Sequence, residues 1–270
     1  IRSFQVLQFS DTTLGRKDTG GDFNVIRESF NQKKYDYIVN AAAYNQVDLA
    51  ETEKAEAHQG NVLLPQNLAN LSADAGIPLI HYSTDYVYDG RRETPWVETD
   101  STGPKNYYGL SKLEGEKAVQ SHNPQHLIFR TCWLYNKTGQ NFPNKILSLA
   151  KTRPELKVVA DQFGSPTNVQ HVADATAKII AQGVLPEQDG VYNICNQGYA
   201  SWYDFASQLI SEAVERGLLE NKPEILPVKS SEFPTAAQRP LNSRLNTEKL
   251  KKSFHLTLPS WREGLRQYFE

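Results

Sequence analysis

Residues 35–42 read YDYIVNAA, a short apolar run that ends in small residues and has polar neighbours. Its length predicts a buried β-strand rather than a helix. Similar runs at residues 5–9, 79–83 and 126–131 predict three more strands. Helical patterns separate these runs, which predicts βαβ units and a parallel sheet covered on both faces.

The helical patterns complete the predicted fold class. Gly60 interrupts the longest of them, so we predict a break near that residue. The sequence therefore predicts an α/β protein with a Rossmann-like, doubly wound parallel sheet. The predicted helices cover residues 23–31, 50–74, 107–119 and 144–151.

The pattern changes after about residue 155. The second part has predicted isolated strands at 156–160 and 191–194, and a proline-rich loop region at 223–240, with helices at 202–215 and 261–269. We predict a nucleotide-binding domain over residues 1–154. A smaller, intertwined α/β domain, mainly for substrate binding, would cover residues 155–270.

Composition and charge exclude several classes of protein. The 29 Lys and Arg residues nearly balance the 31 Asp and Glu residues. A nucleic-acid or membrane-surface protein would carry a basic footprint, so neither partner is expected, and no apolar run has the length of a bilayer span. Cys132 and Cys195 are too few for a disulfide framework, which predicts reduced thiols in the cytoplasm.

A candidate acid lies in residues 106–112, NYYGLSK. Tyr108 and Lys112 stand four apart and share one face of the predicted helix. A phenol normally ionises near pH ~10, and a nearby ammonium would lower that pKa. The same ammonium can bind a ribose hydroxyl. The pair alone is weak, because Tyr and Lys also meet by chance on helices.

Residues 79–85, LIHYSTD, strengthen this interpretation. An apolar strand ends there in hydroxyls and a carboxylate, at the sheet edge where open α/β folds bind ligands. Thr84 can donate a hydrogen bond to a carbonyl oxygen that gains charge. It can equally cap a helix. The small residues Ala42 and Ala43 lie at the end of the strand predicted at residues 35–42 and would let a dinucleotide approach the backbone.

On these residues the chain resembles the extended short-chain dehydrogenase/reductase superfamily, and within it the dTDP-4-dehydrorhamnose reductase family. The similarity extends over nearly the whole chain and is more specific than the Tyr108–Lys112 pair. The similar stretches are IVNAAA (38–43), VDLAE (47–51), HYSTDYVYDG (81–90), PWVETD (95–100), NYYGLSKLEGEKAV (106–119), HLIFRTCWLY (126–135), DQFGSPT (161–167) and RPLNSRLNTEKL (239–250).

The resemblance implies an enzyme that uses NADPH or NADH to reduce the C4 ketone of a dTDP-4-keto-6-deoxy sugar, dTDP-4-dehydro-L-rhamnose. Tyr108 would give the proton, Lys112 would tune it and bind the nicotinamide ribose, and Thr84 would hydrogen-bond the same oxygen. It further implies a cofactor pocket that includes Ala42, Ala43, Asn61 and Ser83. The sugar nucleotide would contact Val47 and Asp85, and Trp133 would stack on thymine, although Trp133 could also be an ordinary buried residue.

Two arginines are candidates for the diphosphate. Arg239 and Arg244 lie in a loop-rich segment, and a guanidinium fork suits a diphosphate as well as a surface ion pair. Some relatives dimerise around Mg²⁺ held by glutamates, so a homodimer and Mg²⁺ are also implied. The sequence has no residue spacing that defines metal ligands.

The chain departs from the family at its start. The family's G-x-x-G-x-x-G phosphate loop has no counterpart, since Gly15, Gly20 and Gly21 lack that spacing. The missing first strand would be central in the sheet, and the helix after it would bind the pyrophosphate. We therefore expect a strand–loop–helix of roughly 20 residues to precede this sequence.

With that start missing, residues 5–9 resemble the family's second strand. The resemblance then places Asp11 near the adenosine ribose, and Asp22 and Phe23 near the adenine. An acidic Asp11 favours NADH, but the family accepts both cofactors.

Three alternatives remain open from the sequence. A non-catalytic regulatory or binding subunit of the same fold would explain a missing phosphate loop, but it would not need Thr84, Tyr108 and Lys112. Another nucleotide-sugar reductase would keep all three. An epimerase or dehydratase is weaker, because a dehydratase would carry an acid–base carboxylate pair after the threonine, where this chain has Asp85 and then Tyr86.

Overall fold

A computed structural model of the chain describes residues 6–9 and 23–270. The strands in chain order are β1 (Val6–Phe9), β2 (Tyr37–Asn40), β3 (Leu79–Thr84), β4 (His126–Thr131), β5 (Leu134–Tyr135), β6 (Glu155–Val159), β7 (Phe163–Gly164), β8 (Thr167–Asn168), β9 (Gly190–Asn193), β10 (Ala200–Ser201) and β11 (Glu224–Val228). The helices are α1 (Phe23–Asn31), α2 (Lys54–His58), α3 (Leu64–Asp74), α4 (Tyr107–His122), α5 (Phe142–Ala150), α6 (Val169–Gln182), α7 (Trp202–Glu215), α8 (Glu248–Phe254) and α9 (Trp261–Phe269).

A parallel sheet forms the centre of the described structure. Its strand order is β1-β2-β3-β4-β9, and each neighbouring pair is parallel. Alternate residues of each strand face opposite sides. Ile38, Leu79 and Ile128 pack under α1, α3 and α4, whereas Val39 and Ile80 pack under α6 and α8. The α/β class and the covered parallel sheet are therefore confirmed.

The strand at residues 190–193 corrects one prediction. The sequence placed it among the isolated strands of the second half. In the structure β9 pairs with β4, with Ile128 opposite Val191, and becomes the fifth strand of the main sheet. Its apolar side chains alternate only briefly, and so short a pattern does not indicate which strand will be its partner. The domain boundary at residue 154 stays a prediction.

A second core holds the later elements together. Helices α5, α7 and α9 enclose Phe205, Leu209, Trp261 and Leu265 at 0–2% exposure. Strand β6 pairs in parallel with β11, and Leu156 of β6 joins this core. Strand β11 lies in the region predicted as loop. That prediction was wrong for these five residues because the prolines of the region indicate loop.

The predicted break near Gly60 is a change of helix type instead. Residues Gln59–Leu63 form a π turn between α2 and α3, in which the Leu64 N–H donates to the Gln59 carbonyl five residues back. The helix therefore continues through Gly60 with one wider turn. Such π turns are rare and often occur at functional sites.

The start of the chain bears on two further predictions. Strand β1 pairs directly with β2. This pairing satisfies the backbone groups along that edge of β2 among the described residues. The assignment of residues 5–9 to the family's second strand stays a prediction. The predicted sites Asp11 and Asp22 lie outside the described residues.

Candidate active site

Helix α4 places Tyr108 and Lys112 beside the carboxyl end of β3. Asn106 caps the helix, and its Oδ1 accepts a hydrogen bond from the Gly109 N–H at 2.8 Å. Its Nδ2 donates to the Gln238 carbonyl at 2.8 Å. The helix start is thereby joined to the arginine-containing loop of the second half.

Two glycines let α4 approach its neighbours closely. A Cβ on Gly109 would lie 2.2 Å from the Tyr86 carbonyl oxygen, and a Cβ on Gly115 would lie 2.0 Å from that of Asn61. No other residue fits at these distances. Glycine at both positions thus brings Tyr108 to the turn after β3 and Lys112 to the π turn.

Thr84 has both of the roles that the sequence left open. Its Oγ1 caps the one-turn 3-10 helix Asp85–Val87 by accepting from the Tyr86 N–H at 3.2 Å. The same hydroxyl bonds the phenol of Tyr108 and lies 3.2 Å from Asp85 Oδ1. The Tyr86 ring contacts Tyr108 edge-on, with 5.7 Å between ring centroids. Two hydroxyls thus converge at the end of β3.

The pKa of Tyr108 differs in direction from the sequence prediction. Burial raises the pKa to about 12, the Thr84 hydrogen bond lowers it, and the charge of Asp85 raises it. The sequence predicts that the Lys112 ammonium lowers this pKa, but the Lys112 Nζ donates instead to the Tyr82 carbonyl at 2.7 Å. Desolvation sets the direction of the pKa shift, and Tyr108 stays protonated at neutral pH.

Lys112 and Asp85 are also shifted by burial. Lys112 is 2% exposed, and burial lowers its pKa to about 8 while the charge of Glu116 raises it. Asp85 is 3% exposed, and burial raises its pKa to about 7 against the opposing Ser243 and Thr84 hydroxyls. Several groups with shifted pKa values in one place are typical of a functional site.

The predicted cofactor residues gather at the ends of β2 and β3. Ala42 is buried and Ala43 is partly buried in the segment after β2. The π turn places the Asn61 amide against that segment, where it accepts from the Tyr44 N–H at 2.9 Å and donates to Ser111 Oγ at 3.0 Å. Asn61 therefore holds the backbone of the pocket in place.

Two other predicted cofactor residues, Ser83 and Phe23, lie in different surroundings. Among the described residues the buried Ser83 hydroxyl has no hydrogen-bond partner. Phe23 is the first residue of α1 and packs against the core under that helix.

The predicted substrate residues other than Thr84, Asp85 and Tyr108 lie in two groups. The first joins the loop of Val47 to the arginine loop. The Arg239 guanidinium forms an ion pair with Asp48 at 2.6 Å and lies over the Tyr86 ring at 6.0 Å. Arg244 is held more firmly, because its Nε donates to Asn242 Oδ1 at 2.8 Å and its Nη2 donates to the Glu93 carbonyl.

Trp133 forms the second group and has no free ring face. Its indole stacks on Trp202, with 3.5 Å between ring centroids and 9° between planes. On the same indole, a Cβ on Gly164 would lie 2.5 Å from Cε2 and 2.8 Å from both Cδ2 and Nε1, which places the Gly164 backbone over the opposite face. Stacking of thymine on Trp133 stays a prediction, and it requires Trp202 to move away.

Sequence reasoning missed several residues of the site. Gly109 and Gly115 were passed over because their importance lies in contacts with distant backbone. Asp48 and Trp202 contact predicted residues from 191 and 69 positions away (239 − 48 and 202 − 133). The one available signal was the short G-x-x-x-x-x-G spacing on the catalytic helix.

Known proteins of one family resemble this chain over most of its length. Residues 5–270 match the family model of the RmlD substrate binding domain. The chain is 43% identical over 254 residues to dTDP-4-dehydrorhamnose reductase of Shigella flexneri, which covers 93% of this chain and 85% of that protein. It is 42% identical over 255 residues to the Salmonella typhimurium reductase, with 93% and 85% covered.

The chain belongs to the dTDP-4-dehydrorhamnose reductase family. The fold supports this assignment. A crystal structure of the Bacillus anthracis family member in complex with NADP has a TM-score of 0.88 and 32% identity, and it covers 99% of both chains. A Clostridium acetobutylicum family member gives a TM-score of 0.85 at 32% identity, covering 98% and 97%.

The described part of this family member has neither a metal-binding cluster of side chains nor a membrane-spanning helix. Residues 6–9 and 23–270 contain no group of three or more His, Cys, Asp or Glu side chains that could hold a metal ion, so Mg²⁺ finds no support there. Of the helices described, none combines the length and apolar character needed to cross a membrane.

Proposed function

We propose that the protein reduces the C4 ketone of dTDP-4-dehydro-L-rhamnose to dTDP-L-rhamnose, with NADPH or NADH as reductant. The observation that carries this proposal is the pair of hydroxyls from Thr84 and Tyr108, joined at the carboxyl end of β3 beside Lys112. The family assignment supplies the substrate class. A scaffold without activity would need none of these buried, shifted groups.

The protonated phenol of Tyr108 is the group that gives a proton to the substrate. The bound nicotinamide supplies the hydride to C4. As negative charge develops on the ketone oxygen, hydrogen bonds from Tyr108 and Thr84 stabilise it. Tyr108 then transfers its proton to that oxygen. Asp85, beside Thr84, would orient the sugar.

The residues at the ends of β2 and β3 fit a nicotinamide ribose. Among the described residues, the Lys112 Nζ makes one hydrogen bond, to the Tyr82 carbonyl, so two of its three N–H groups remain for ribose hydroxyls. The unpartnered Ser83 hydroxyl lies on the strand residue between Tyr82 and Thr84. Ala42 and Ala43 leave room for the cofactor to approach the backbone. Either cofactor, NADPH or NADH, fits these residues.

Arg239 is the better placed of the two candidate diphosphate ligands. Its ion pair with the partly exposed Asp48 can exchange for a diphosphate oxygen, since both present anionic oxygen to the same guanidinium fork. Arg244 already donates to Asn242 and Glu93, which orients it but uses two of its donors. Val47 precedes Asp48 and would face the sugar.

The buried, unpaired thiols of Cys132 and Cys195 support the cytoplasm as the compartment. A homodimer is the expected assembly.

Replacing Tyr108 by Phe tests the proposal. We expect Tyr108→Phe to lower kcat by about 10²–10⁴-fold, the usual contribution of a general acid. The measurement is the loss of reduced-nicotinamide absorbance in the presence of the dTDP-4-keto sugar. Cofactor binding, followed by calorimetry, should be retained.

Tyr107→Phe is the matched control, because Tyr107 is the adjacent tyrosine of the same helix and its ring lies under Lys54. It should leave kcat close to that of the wild type. Absence of turnover by the wild-type protein with both NADPH and NADH would overturn the proposed function.

A further inference from the structure

The catalytic helix carries a second buried charged group one turn beyond Lys112. Glu116 is 1% exposed and lies four residues after Lys112, on the same face of α4. Its carboxylate accepts two hydrogen bonds from Arg130 of β4, at 2.9 Å from Nε and 2.6 Å from Nη2. Arg130 Nη1 donates to the Tyr88 hydroxyl at 2.8 Å. This two-point geometry fixes the position of the carboxylate.

Stability alone does not explain the Glu116–Arg130 pair. Both side chains are at most 6% exposed, so forming the pair removes two charges from water. Buried ion pairs of this kind are often no more stabilising than apolar residues of the same volume. The pair replaces what could be apolar packing between α4 and β4, and its position beside Lys112 suggests a different role.

Lys112 has one anionic neighbour among the described residues, Glu116, whose charge raises its pKa. From β3 it meets the Tyr82 carbonyl and His81, whose pKa is well below its usual value because of burial and the charge of Lys112, so His81 is neutral. On its own helix, Tyr108 lies one turn earlier and is protonated, and Glu116 lies one turn later. From β4 the nearest charged group is Arg130, which forms an ion pair with Glu116.

We infer that Glu116, fixed by Arg130, is a positioning residue that keeps the buried Lys112 ammonium charged in the working pH range of the enzyme. Two facts carry the inference: both groups are buried on one helix face, and Arg130 holds the carboxylate in one orientation. The direction of the pKa shifts agrees, since burial lowers the pKa of Lys112 to about 8 and Glu116 opposes that change. The inference rests on the proposed reductase function for its consequence, the binding of the nicotinamide ribose.

The first test needs no activity and uses Glu116→Gln. When the pKa of a lysine is lower in the folded state, the free energy of unfolding rises with pH between the two pKa values. In that range the unfolded chain holds a proton that the folded protein has lost. In the wild type this rise begins near pH 8. We expect it to begin about one pH unit lower in Glu116→Gln and to be absent in Lys112→Met, both measured by urea unfolding between pH 6 and 10.

The second test measures NADPH binding by calorimetry. If the pKa of Lys112 falls by about one unit in Glu116→Gln, the charged fraction at pH 8 drops about fivefold, whereas at pH 6 it hardly changes. We therefore expect binding about fivefold weaker at pH 8 and unchanged at pH 6. In a Lys112→Met background, Glu116→Gln should have no further effect on binding.

Tyr88→Phe is the matched control. It removes one hydrogen bond from Arg130 in the same buried cluster but leaves the carboxylate beside Lys112. It should lower stability at every pH without moving either profile. Glu116→Asp, which keeps the charge, should restore part of the wild-type profile.

The outcomes separate this inference from the proposed function. An unshifted stability profile in Glu116→Gln, or an equal loss of NADPH binding at pH 6 and pH 8, would overturn the inference while leaving the reductase activity intact. A shifted stability profile in a protein that does not reduce the sugar nucleotide would support the inference and overturn the function.

Discussion

Asp85 is a buried carboxyl group whose cost to stability depends on pH. Its pKa rises from 3.8 to about 7 on folding, because burial disfavours the charged form. The folded protein therefore holds an extra proton between these values, and stability falls as pH rises from about 4 to about 7. Above pH 7 the full penalty, on the order of 4 kcal/mol, is present.

We expect Asp85→Asn to stabilise the protein, and to do so more at high pH. The amide keeps the shape and carries no charge, so the gain should be on the order of 2 kcal/mol larger at pH 8 than at pH 5. Denaturant unfolding at the two pH values measures the difference. The control is Asp74→Asn, since Asp74 is exposed at the end of α3. An equal gain at both pH values would contradict this account.

At the residue scale, the sequence predicted which residues lie together better than it predicted their burial and contacts. Tyr108, Lys112 and Thr84 lie together as expected, because a four-residue helix spacing and the end of an apolar strand are local properties. The direction of the Tyr108 shift was wrong, because burial depends on packing by distant segments. The Trp133 prediction missed Trp202 for the same reason, since no local pattern indicates which ring will cover another.

At the element scale, the position of α4 depends on Gly115. We expect Gly115→Ala to destabilise the protein by about 2 kcal/mol or more, because a Cβ 2.0 Å from the Asn61 carbonyl forces the helix away from the π turn. Activity should fall with it, as Lys112 lies on the displaced turn. Thermal unfolding and kcat measure the two effects.

Gly103→Ala provides the comparison, since a Cβ there would lie at an ordinary contact distance of 3.4 Å from the Asp89 Cβ. We expect it to change stability little. If Gly115→Ala proved equally harmless, the close approach of α4 to Asn61 would not be needed for the site.

The elements themselves were predictable where their patterns were long. Helices α1, α7 and α9 have the predicted bounds, and β4 does too. Short elements failed, as shown by β11 within a proline-rich segment and by the partner of β9. The partner of a strand depends on the connections between strands, and a four-residue sequence does not determine them.

At the scale of the whole molecule, the Arg239–Asp48 pair joins the arginine loop to the segment after β2. Asp48 also accepts from the Ala237 N–H at 2.9 Å, so one carboxylate holds two points of that loop. Because the pair is partly exposed, it should contribute no more than about 1 kcal/mol to stability. Its effect should appear in substrate binding instead.

We expect Arg239→Ala to raise the KM for the sugar nucleotide by about tenfold or more, as for the loss of a charged hydrogen bond. Asp48→Ala should leave KM unchanged or lower it, because it frees the guanidinium for the diphosphate. Steady-state kinetics on both variants and on the double variant measure this. A KM that rises equally in both single variants would mean that the pair only shapes the loop.

The π turn at Gln59–Leu63 has a consequence for the length of the chain. A π turn holds one residue more than an α-helical turn, so it can be regarded as a one-residue insertion within a continuous helix. The wider turn absorbs this residue; in a regular helix the same extra residue would rotate everything after it by roughly 100°. The Asn61 amide and the apolar face of α3 would then no longer point in their present directions together. The wider turn therefore allows one helix to contribute to the pocket at one end and to the core at the other. Where an alignment with relatives shows a one-residue gap in this helix, the gap belongs within this turn.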